Sequence, residues 1–404
     1  MAAFLGALFF GFPSRKIKVI GVTGTNGKSS TAAMIDRILN EAGVKTALSS
    51  SVEFRIGDKA WKNSSRMTMP GRFALQKFLR QAVAAGCQYA VVEVSSEGVR
   101  QHRHRFIDFE AAVFTNLAPE HIESHGSFEK YRAAKGEFFK ACRKIHILNA
   151  DDANCGYFAQ FRAQKKYGYA IEGKNNNISE MAGGEIVLAR NIKLSPIGSS
   201  FEIAGRRFDL KILGEFNVYN ALAAIACARS QGVDLDICRT ALAGMEAVPG
   251  RMERVIGAPF EVFVDYAVTP DALGKAYQTA KIGLGSGKLI CVLGACGGGR
   301  DKWKRPVMGG LAKKYCDRVI LANEDPYDED SQKIIDQIAG DGAPNIEKIV
   351  DRRKAIKRAL AMAKPGDRVL VTGKGCEDSM CLAAGKKMPW NDKTVILEEM
   401  AGLG

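Results

Sequence analysis

Several things are scarce in this 404-residue chain. It has ten cysteines but no C-x-x-C pair, so neither a zinc ribbon nor a disulfide framework is indicated, and scattered thiols fit a reducing cytoplasm. No apolar run approaches the ~20 residues that cross a bilayer. The most apolar stretch, the opening MAAFLGALFFGF, lacks a basic n-region and a cleavage site before Pro13, which argues against a signal peptide. Packing against the protein is its expected role, with weak contact to a membrane surface as the alternative. The formal net charge is +14, yet no stripe of basic residues interleaved with aromatics accompanies it. Nucleic acid is therefore not an expected partner, and the charge suits anionic substrates such as nucleotides and carboxylates. Short repeats and low-complexity linkers are also missing. With 46% hydrophobic and 25% charged residues, the length supports two or three soluble domains, expected to act as a monomer in the cytoplasm.

What is present begins at VIGVTGTNGKSST, residues 19–31. An apolar, β-branched run from Lys16 to Val22 reads as a buried strand. From Ser29 to Ala42, apolar residues at Ala32, Ala33, Ile35, Ile38, Leu39 and Ala42 follow a helical period that ends at Gly43. A strand, a glycine-rich turn and a helix start form a phosphate cradle. Glycines let backbone N–H groups approach, the helix N-terminus attracts anions, and Lys28 adds a cation. The G-x-x-x-x-G-K-[ST] template fits except at its first glycine, which should fall at Val22, whereas the glycines stand at Gly21 and Gly24. Gly24, Thr25, Asn26, Gly27, Lys28, Ser29 and Ser30 are the nucleotide-binding candidates, and Ser29 is placed to reach a phosphate-bound Mg²⁺.

The rest of the chain alternates strands and helices. Runs at KTALSS, 89–94, 111–116 and 145–150 read as strands, with helices at 73–85 and 128–142, the rhythm of a mostly parallel sheet. Residues 171–213 shift to short, glycine-punctuated runs that predict a small antiparallel addition. Helices at 218–231 and 235–242 close this part. The pattern restarts near AVPGRMERV with strands FEVFVD, KLICVLG, DRVILA and RVLVTG, which predicts a second, Rossmann-like domain. The expected organisation is a leader at 1–16, a P-loop-type α/β domain at 17–248 with a parallel sheet plus a small antiparallel sheet, and a Rossmann-like domain at 249–404.

Three further segments carry chemistry. VVEVSSEGVRQHR puts Glu93 at the end of a strand, a usual place for a metal ligand beside a phosphate loop. FTNLAPEHIESHG offers His121, and YRAAKGEFF puts Lys135 on the next helix. G-T-N-G-K-S, E-V-S-S-x-G-x-x-Q-H-R, F-T-N-L-x-x-[DE]-H and Y-x-x-A-K, in this order and spacing, resemble the Mur ligases. Within that family they are most similar to the branch that adds the third amino acid to UDP-N-acetylmuramoyl-dipeptide. The resemblance runs on through GEFNVYNALAA, VPGRMERV, VDYAVTPDAL, GGGRDKWKRP, NEDPY, DRRKAI and TGKGCED, about residues 17 to 395.

The resemblance implies an ATP-dependent carboxylate–amine ligase. A carboxylate takes the γ-phosphate to form an acyl phosphate, and an amine then displaces phosphate, so most of the work is positioning and charge neutralisation. Lys28 and Mg²⁺ would screen the phosphates. Ser29 and Glu93 would hold one metal ion, and His121 with a carbamylated Lys135 a second. Asn220, Arg251, Asp265 and Tyr266 would contact the nucleotide, and Thr68, Ser95, Gln101 and Arg103 the acceptor peptide, although these four also suit capping or solvated roles. Arg300, Glu324, Asp325, Tyr327, Gly373 and Glu377 would surround the incoming amino acid.

The sequence also departs from the family pattern. Relatives carry an N-terminal domain of roughly a hundred residues that grips UDP, which residues 1–16 cannot form, so the acceptor is expected to be held by the remaining domains or not to be a UDP-sugar. Glu97, Val268 and Cys376 replace histidines, Glu120 and Glu123 lengthen aspartates, and Tyr327 stands where diaminopimelate-adding relatives have the arginine of D-N-P-R. Two other functions stay open: the same chemistry on folate or another peptide, and a nucleotide-binding partner subunit without catalysis.

Overall fold

Strand and helix periods compete for the same apolar residues, and the resulting fold can be read from which faces they share. The computed structural model describes residues 2–65, 67–174 and 184–402. The chain divides into two compact units, one of Met1–Pro119, Gly126–Leu194 and Gly198–Glu246, the other of Glu120–His125, Ser195–Ile197 and Ala247–Gly404.

The first unit is built on one eleven-stranded sheet. Its order across the sheet is Arg206–Leu210, Gly198–Ile203, Glu185–Ser195, Lys165–Ile171, Ile145–Asn149, Phe109–Phe114, Lys18–Thr23, Tyr89–Glu93, Thr46–Ser49, Glu53–Ile56 and Lys59–Lys62. The central strand Lys18–Thr23 pairs in parallel with Tyr89–Glu93 on one side and Phe109–Phe114 on the other. Successive side chains leave opposite faces. Ile20, Val22, Val91 and Val113 join one core with Ile35, Leu39, Leu222 and Ile225, from helices Lys28–Glu41 and Glu215–Ser230. Val19, Ala90, Val92 and Phe114 join the other with Leu75, Leu79, Phe138 and Phe139, from helices Arg72–Ala84 and Phe128–Ala141.

One expectation is borne out and one corrected here. The runs after residue 171 form strands that continue the main sheet: Glu185–Ser195 pairs in parallel with Lys165–Ile171, and Gly198–Ile203 pairs antiparallel with Arg206–Leu210 as the small antiparallel addition. Residues 175–183 of that stretch lie outside the described residues. At the opposite edge, Glu53–Ile56 and Lys59–Lys62 form a hairpin that the sequence did not signal, because Lys59–Lys62 is exposed throughout and has no buried alternation to betray it. The expectation of unpaired thiols fails at Cys291 and Cys316, which form a disulfide, while the other eight cysteines form none. Their 25-residue separation is one strand–helix–strand crossover, which sets the two side by side with no local sequence mark.

The leader forms a helix, Ala2–Phe9. Ala3, Gly6 and Ala7 are buried, and a methyl group at Gly6 would sit 3.3 Å from the Phe73 ring. Phe4, Leu5, Leu8 and Phe9 remain exposed. No helix among the described residues is long and apolar enough to cross a membrane.

The second unit has a six-stranded sheet in the order Glu253–Ile256, Glu261–Asp265, Arg368–Thr372, Leu289–Leu293, Arg318–Leu321 and Ile346–Lys348. All its pairs are parallel except the first. A two-stranded ladder, Ser379–Cys381 with Lys387–Pro389, lies apart from it.

Candidate active site

The phosphate loop leaves strand Lys18–Thr23 and enters helix Lys28–Glu41. Its two glycines have different causes. A Cβ on Gly21 would lie 2.4 Å from the Phe138 ring, so that glycine serves helix packing beneath the sheet. Gly24 (φ +153) belongs to the loop itself, where a Cβ would lie 1.9 Å from Thr115 Oγ1. Gly27 (φ +83) has Asn220 Oδ1 only 2.3 Å from its would-be Cβ. A side chain is therefore barred at both loop glycines by backbone angle and by close neighbours.

Neighbouring strand ends brace the loop. Asn26 N–H donates to Asn116 Oδ1 at 3.0 Å, Asn116 Nδ2 returns a bond to Asn26 O at 3.0 Å, and Thr115 Oγ1 donates to the same carbonyl at 2.7 Å. Thr25 N–H donates to Asn116 O at 2.8 Å, and Thr25 Oγ1 meets the Tyr131 hydroxyl at 3.1 Å. Asn220 reaches the loop from helix Glu215–Ser230: it accepts from Thr31 Oγ1 at 3.3 Å and donates to Asn217 at 2.9 Å. Ser29 and Ser30 are buried in the first helical turn.

Two lysine side chains meet at one carbonyl. Lys28 Nζ donates to Gly24 O at 3.1 Å and to Thr25 O at 2.9 Å, and Lys135 Nζ donates to Gly24 O at 2.9 Å. Lys135 is 1% exposed and lies 4.7 Å from the Tyr131 ring centroid. Burial, and then the charge on Lys28, push its ammonium well below the usual lysine range.

Glu93, fully buried at the end of its strand, accepts from Ser51 N–H at 2.7 Å and from Ser51 Oγ at 3.1 Å. Among the described residues no cation pairs with it. An ionised carboxylate held without a counter-charge in low dielectric is costly, so this position suits a metal cation. No three His, Cys, Asp or Glu side chains converge among the described residues, so there is no ready-made protein cage. Mg²⁺ keeps waters and phosphate oxygens and takes only one or two protein oxygens, so a lone carboxylate such as Glu93 fits it.

Of the acceptor candidates, Thr68 Oγ1 lies 3.1 Å from Ser51 Oγ. Ser95 caps helix Ser96–Arg100, accepting from Gly98 N–H at 3.1 Å. Gln101 donates to Glu97 at 2.8 Å and accepts from Arg103 at 2.6 Å, and Arg103 also donates to Met69 O.

In the second unit, the Arg251 guanidinium lies 4.5 Å over the Tyr266 ring, and Asp265 Oδ2 accepts from Met252 N–H at 2.7 Å. Burial raises the Asp265 carboxyl to about 6, against the pull of Arg251. Lys374, fully buried, donates 2.9 Å bonds to both oxygens of Asp325 and a further one to Glu377, which also accepts from the Tyr266 hydroxyl at 3.3 Å. Asp325 and Glu377 are thus charge-compensated within the chain. Glu324 differs, because its Oε2 is buried and accepts no hydrogen bond from a described residue. Gly373 (φ +108) leaves it room, since a Cβ there would be 2.4 Å from that oxygen. Burial lifts the Glu324 carboxyl to about 7 even though Lys374 and Arg352 lower it. Tyr327 (φ +52) lies against Gly298, and Arg300 is exposed.

His121 also falls in this unit, in the left-handed region at φ +58. It is clamped on both sides. Glu120 pairs with buried Lys304 at 2.7 Å, and Asp301 accepts from Ile122 N–H at 3.1 Å and Glu123 N–H at 2.9 Å. Sequence reasoning assigned no role to Ser51, Thr115, Asn116, Tyr131, Lys374 or Asp301, and it offered Lys304 as a replacement for the charge missing at Tyr327, whereas Lys304 pairs with Glu120. Most lie inside recognisable motifs, but hydrogen bonds across strand ends leave no periodic mark.

The family described as Mur ligase middle domain matches residues 22–228, and that described as Mur ligase, glutamate ligase domain matches residues 250–375. A UDP-N-acetylmuramoyl-L-alanyl-D-glutamate–2,6-diaminopimelate ligase of Aquifex aeolicus is 39% identical, covering 98% of this chain and 80% of its own length. A UDP-N-acetylmuramyl-tripeptide synthetase of a Roseiflexus species is 36% identical over 99% of this chain and 82% of its own. A solved UDP-N-acetylmuramoyl-L-alanyl-D-glutamate–2,6-diaminopimelate ligase superposes with a TM-score of 0.64 at 28% identity, over 96% of this chain and 79% of that one. With two family domains spanning both sheets and full-length relatives at this identity, the chain belongs to the Mur ligase family of ATP-dependent acid–amino-acid ligases.

Proposed function

We propose that this ligase adds an amino acid to the dipeptide of a peptidoglycan precursor, activating the acceptor carboxylate as an acyl phosphate. The observation that carries the reading is the convergence of Lys28 and Lys135 on Gly24 O at the head of a glycine loop, on the same sheet as buried Glu93. Attack by one carboxylate on a polyphosphate joins two anions, so a cation fixed at the loop, here Lys28, lowers the barrier most. Lys28 neutralises charge on the transferred phosphoryl group. Loop N–H groups and the start of helix Lys28–Glu41 orient the phosphates. Ser29 and Glu93 would hold Mg²⁺, which supplies charge screening between nucleotide and carboxylate.

Lys135 cannot bind a cation as an ammonium. Its burial favours the neutral amine, whose lone pair adds to CO₂ with loss of one proton to give a carbamate. The modified side chain is then an anionic oxygen ligand suited to a second ion. Loss of phosphate follows when the incoming amine attacks the acyl carbon: the C–N bond forms, the C–O bond to phosphate breaks, and the amine proton leaves to solvent.

For the incoming residue, Arg300 binds the α-carboxylate and Glu324 attracts a side-chain amine. Tyr327 offers one neutral donor where an arginine would clamp a second carboxylate in bidentate fashion. This balance favours lysine or ornithine over meso-diaminopimelate. A coupled assay of ADP release over acceptor dipeptides, with and without UDP, and over amino acids tests both parts. Turnover requiring a muramoyl dipeptide and a higher kcat/KM for lysine support the reading. A clear preference for meso-diaminopimelate defeats the assignment of Tyr327, and turnover only with folates defeats that of the acceptor.

A further inference from the structure

Ser51 lies just beyond strand Thr46–Ser49 and outside the phosphate loop, yet it makes both hydrogen bonds that Glu93 accepts. Its N–H takes Oε1 at 2.7 Å and its hydroxyl meets Oε2 at 3.1 Å. The same hydroxyl lies 3.1 Å from Thr68 Oγ1. A hydroxyl carries one proton and two lone pairs, and an ionised carboxylate can only accept. The Ser51 hydroxyl is the donor toward both Glu93 Oε2 and Thr68 Oγ1, so its single proton is shared between two acceptors. Ser51 thus stands between half-buried Thr68 and the fully buried carboxylate.

We propose that Ser51 is a positioning residue for Glu93, and that the Thr68–Ser51–Glu93 chain couples acceptor binding to metal–nucleotide binding. This rests on the reading of Glu93 as a metal ligand. Two donors on two oxygens fix the plane of the carboxylate, so its free lone pairs keep one direction. Without the hydroxyl, Oε2 loses its buried partner and the group can turn about the remaining bond to the Ser51 N–H. Thr68 Oγ1 competes with Glu93 Oε2 for the one Ser51 proton. An acceptor group that donates to Thr68 takes up that oxygen's lone pair and returns the Ser51 proton to Oε2, which tightens the hold on the carboxylate. Acceptor and metal are then linked, and the coupling acts equally in both directions. Partners of this kind behind a metal ligand commonly change metal affinity by about 10- to 100-fold.

The test is calorimetric ADP binding at stepped Mg²⁺ concentrations, without turnover, in wild type, Ser51→Ala, Thr68→Val, the double variant, Ser51→Thr and Glu93→Gln. Circular dichroism confirms folding of each. Ser51→Ala should raise the Mg²⁺ needed for half-maximal ADP binding about tenfold, and Ser51→Thr should restore it. Thr68→Val, which removes the competing oxygen, should lower the requirement, and that effect should disappear in the Ser51→Ala background, because Thr68 acts only through Ser51. Independent effects of the two substitutions overturn the coupling. A raised requirement in Glu93→Gln with none in Ser51→Ala overturns the role of Ser51 alone. No change in Glu93→Gln removes the metal reading of Glu93, and this proposal with it.

Discussion

Lys28 and Lys135 donate to the same carbonyl oxygen from two different helices. Like charges this close in a buried setting each disfavour the other's protonation, and Lys135, the more buried, yields. Lys28→Ala should abolish ligation while leaving the circular dichroism spectrum unchanged, since the core does not use that side chain. Lys135→Ala should lose activity, and a short carboxylic acid at high concentration should restore part of it by supplying the missing anionic oxygens. Full activity in the alanine variant would remove the second-ion role. Glu324 gives a pH dependence with a definite sign. Its carboxyl is lifted to about 7, above the ordinary value of about 4.3. The protonated form is favoured in the folded protein, so the stability it contributes is complete below about 4.3 and is lost as pH rises to about 7. The ionised form attracts an amine, so the KM for lysine should fall as pH rises through about 7. Glu324→Gln should flatten that profile, and an unchanged profile would separate Glu324 from the amino acid.

At the scale of elements, the strand–loop–helix of residues 18–41 was fully legible, because β-branched runs and a 3.6-residue period are local properties. The failed template glycine is explained by Phe138: Gly21 belongs to packing and Gly24 to the loop. Gly27→Ala should therefore weaken ADP binding at least tenfold while the fold survives, since Asn220 blocks the new methyl group. What stayed illegible depended on non-local pairing. The runs at 185–210 were readable as strands, but their place at the edge of the main sheet is set by Tyr167–Ile171 in register with Glu185–Ala189. Likewise, G-K-G-C-E announced Glu377 but not that Lys374 neutralises it together with Asp325. The short segment around His121 depends on Asp301, whose two oxygens hold two consecutive N–H groups. Asp301→Ala should speed amide exchange at Ile122 and Glu123 by more than tenfold in mass-spectrometric hydrogen exchange. Unaltered exchange would mean that other contacts hold the left-handed turn.

Across the whole molecule, the groups proposed to handle phosphate and those proposed to handle the amino acid belong to separate sheets, each with its own core. The formal net charge of +14 favours anionic nucleotide and acceptor alike, so KM for ATP should rise with added salt, most steeply below physiological ionic strength. In the proposed reaction an acceptor oxygen passes to phosphorus. The direct measurement uses an acceptor peptide labelled with ¹⁸O in the reacting carboxylate, with mass analysis of the phosphate released during ligation. An acyl phosphate requires one labelled oxygen to leave with each phosphate as the amine takes its place on carbon. Phosphate carrying only unlabelled oxygen would contradict the account, because ATP would then be cleaved without passing its phosphoryl group to the acceptor.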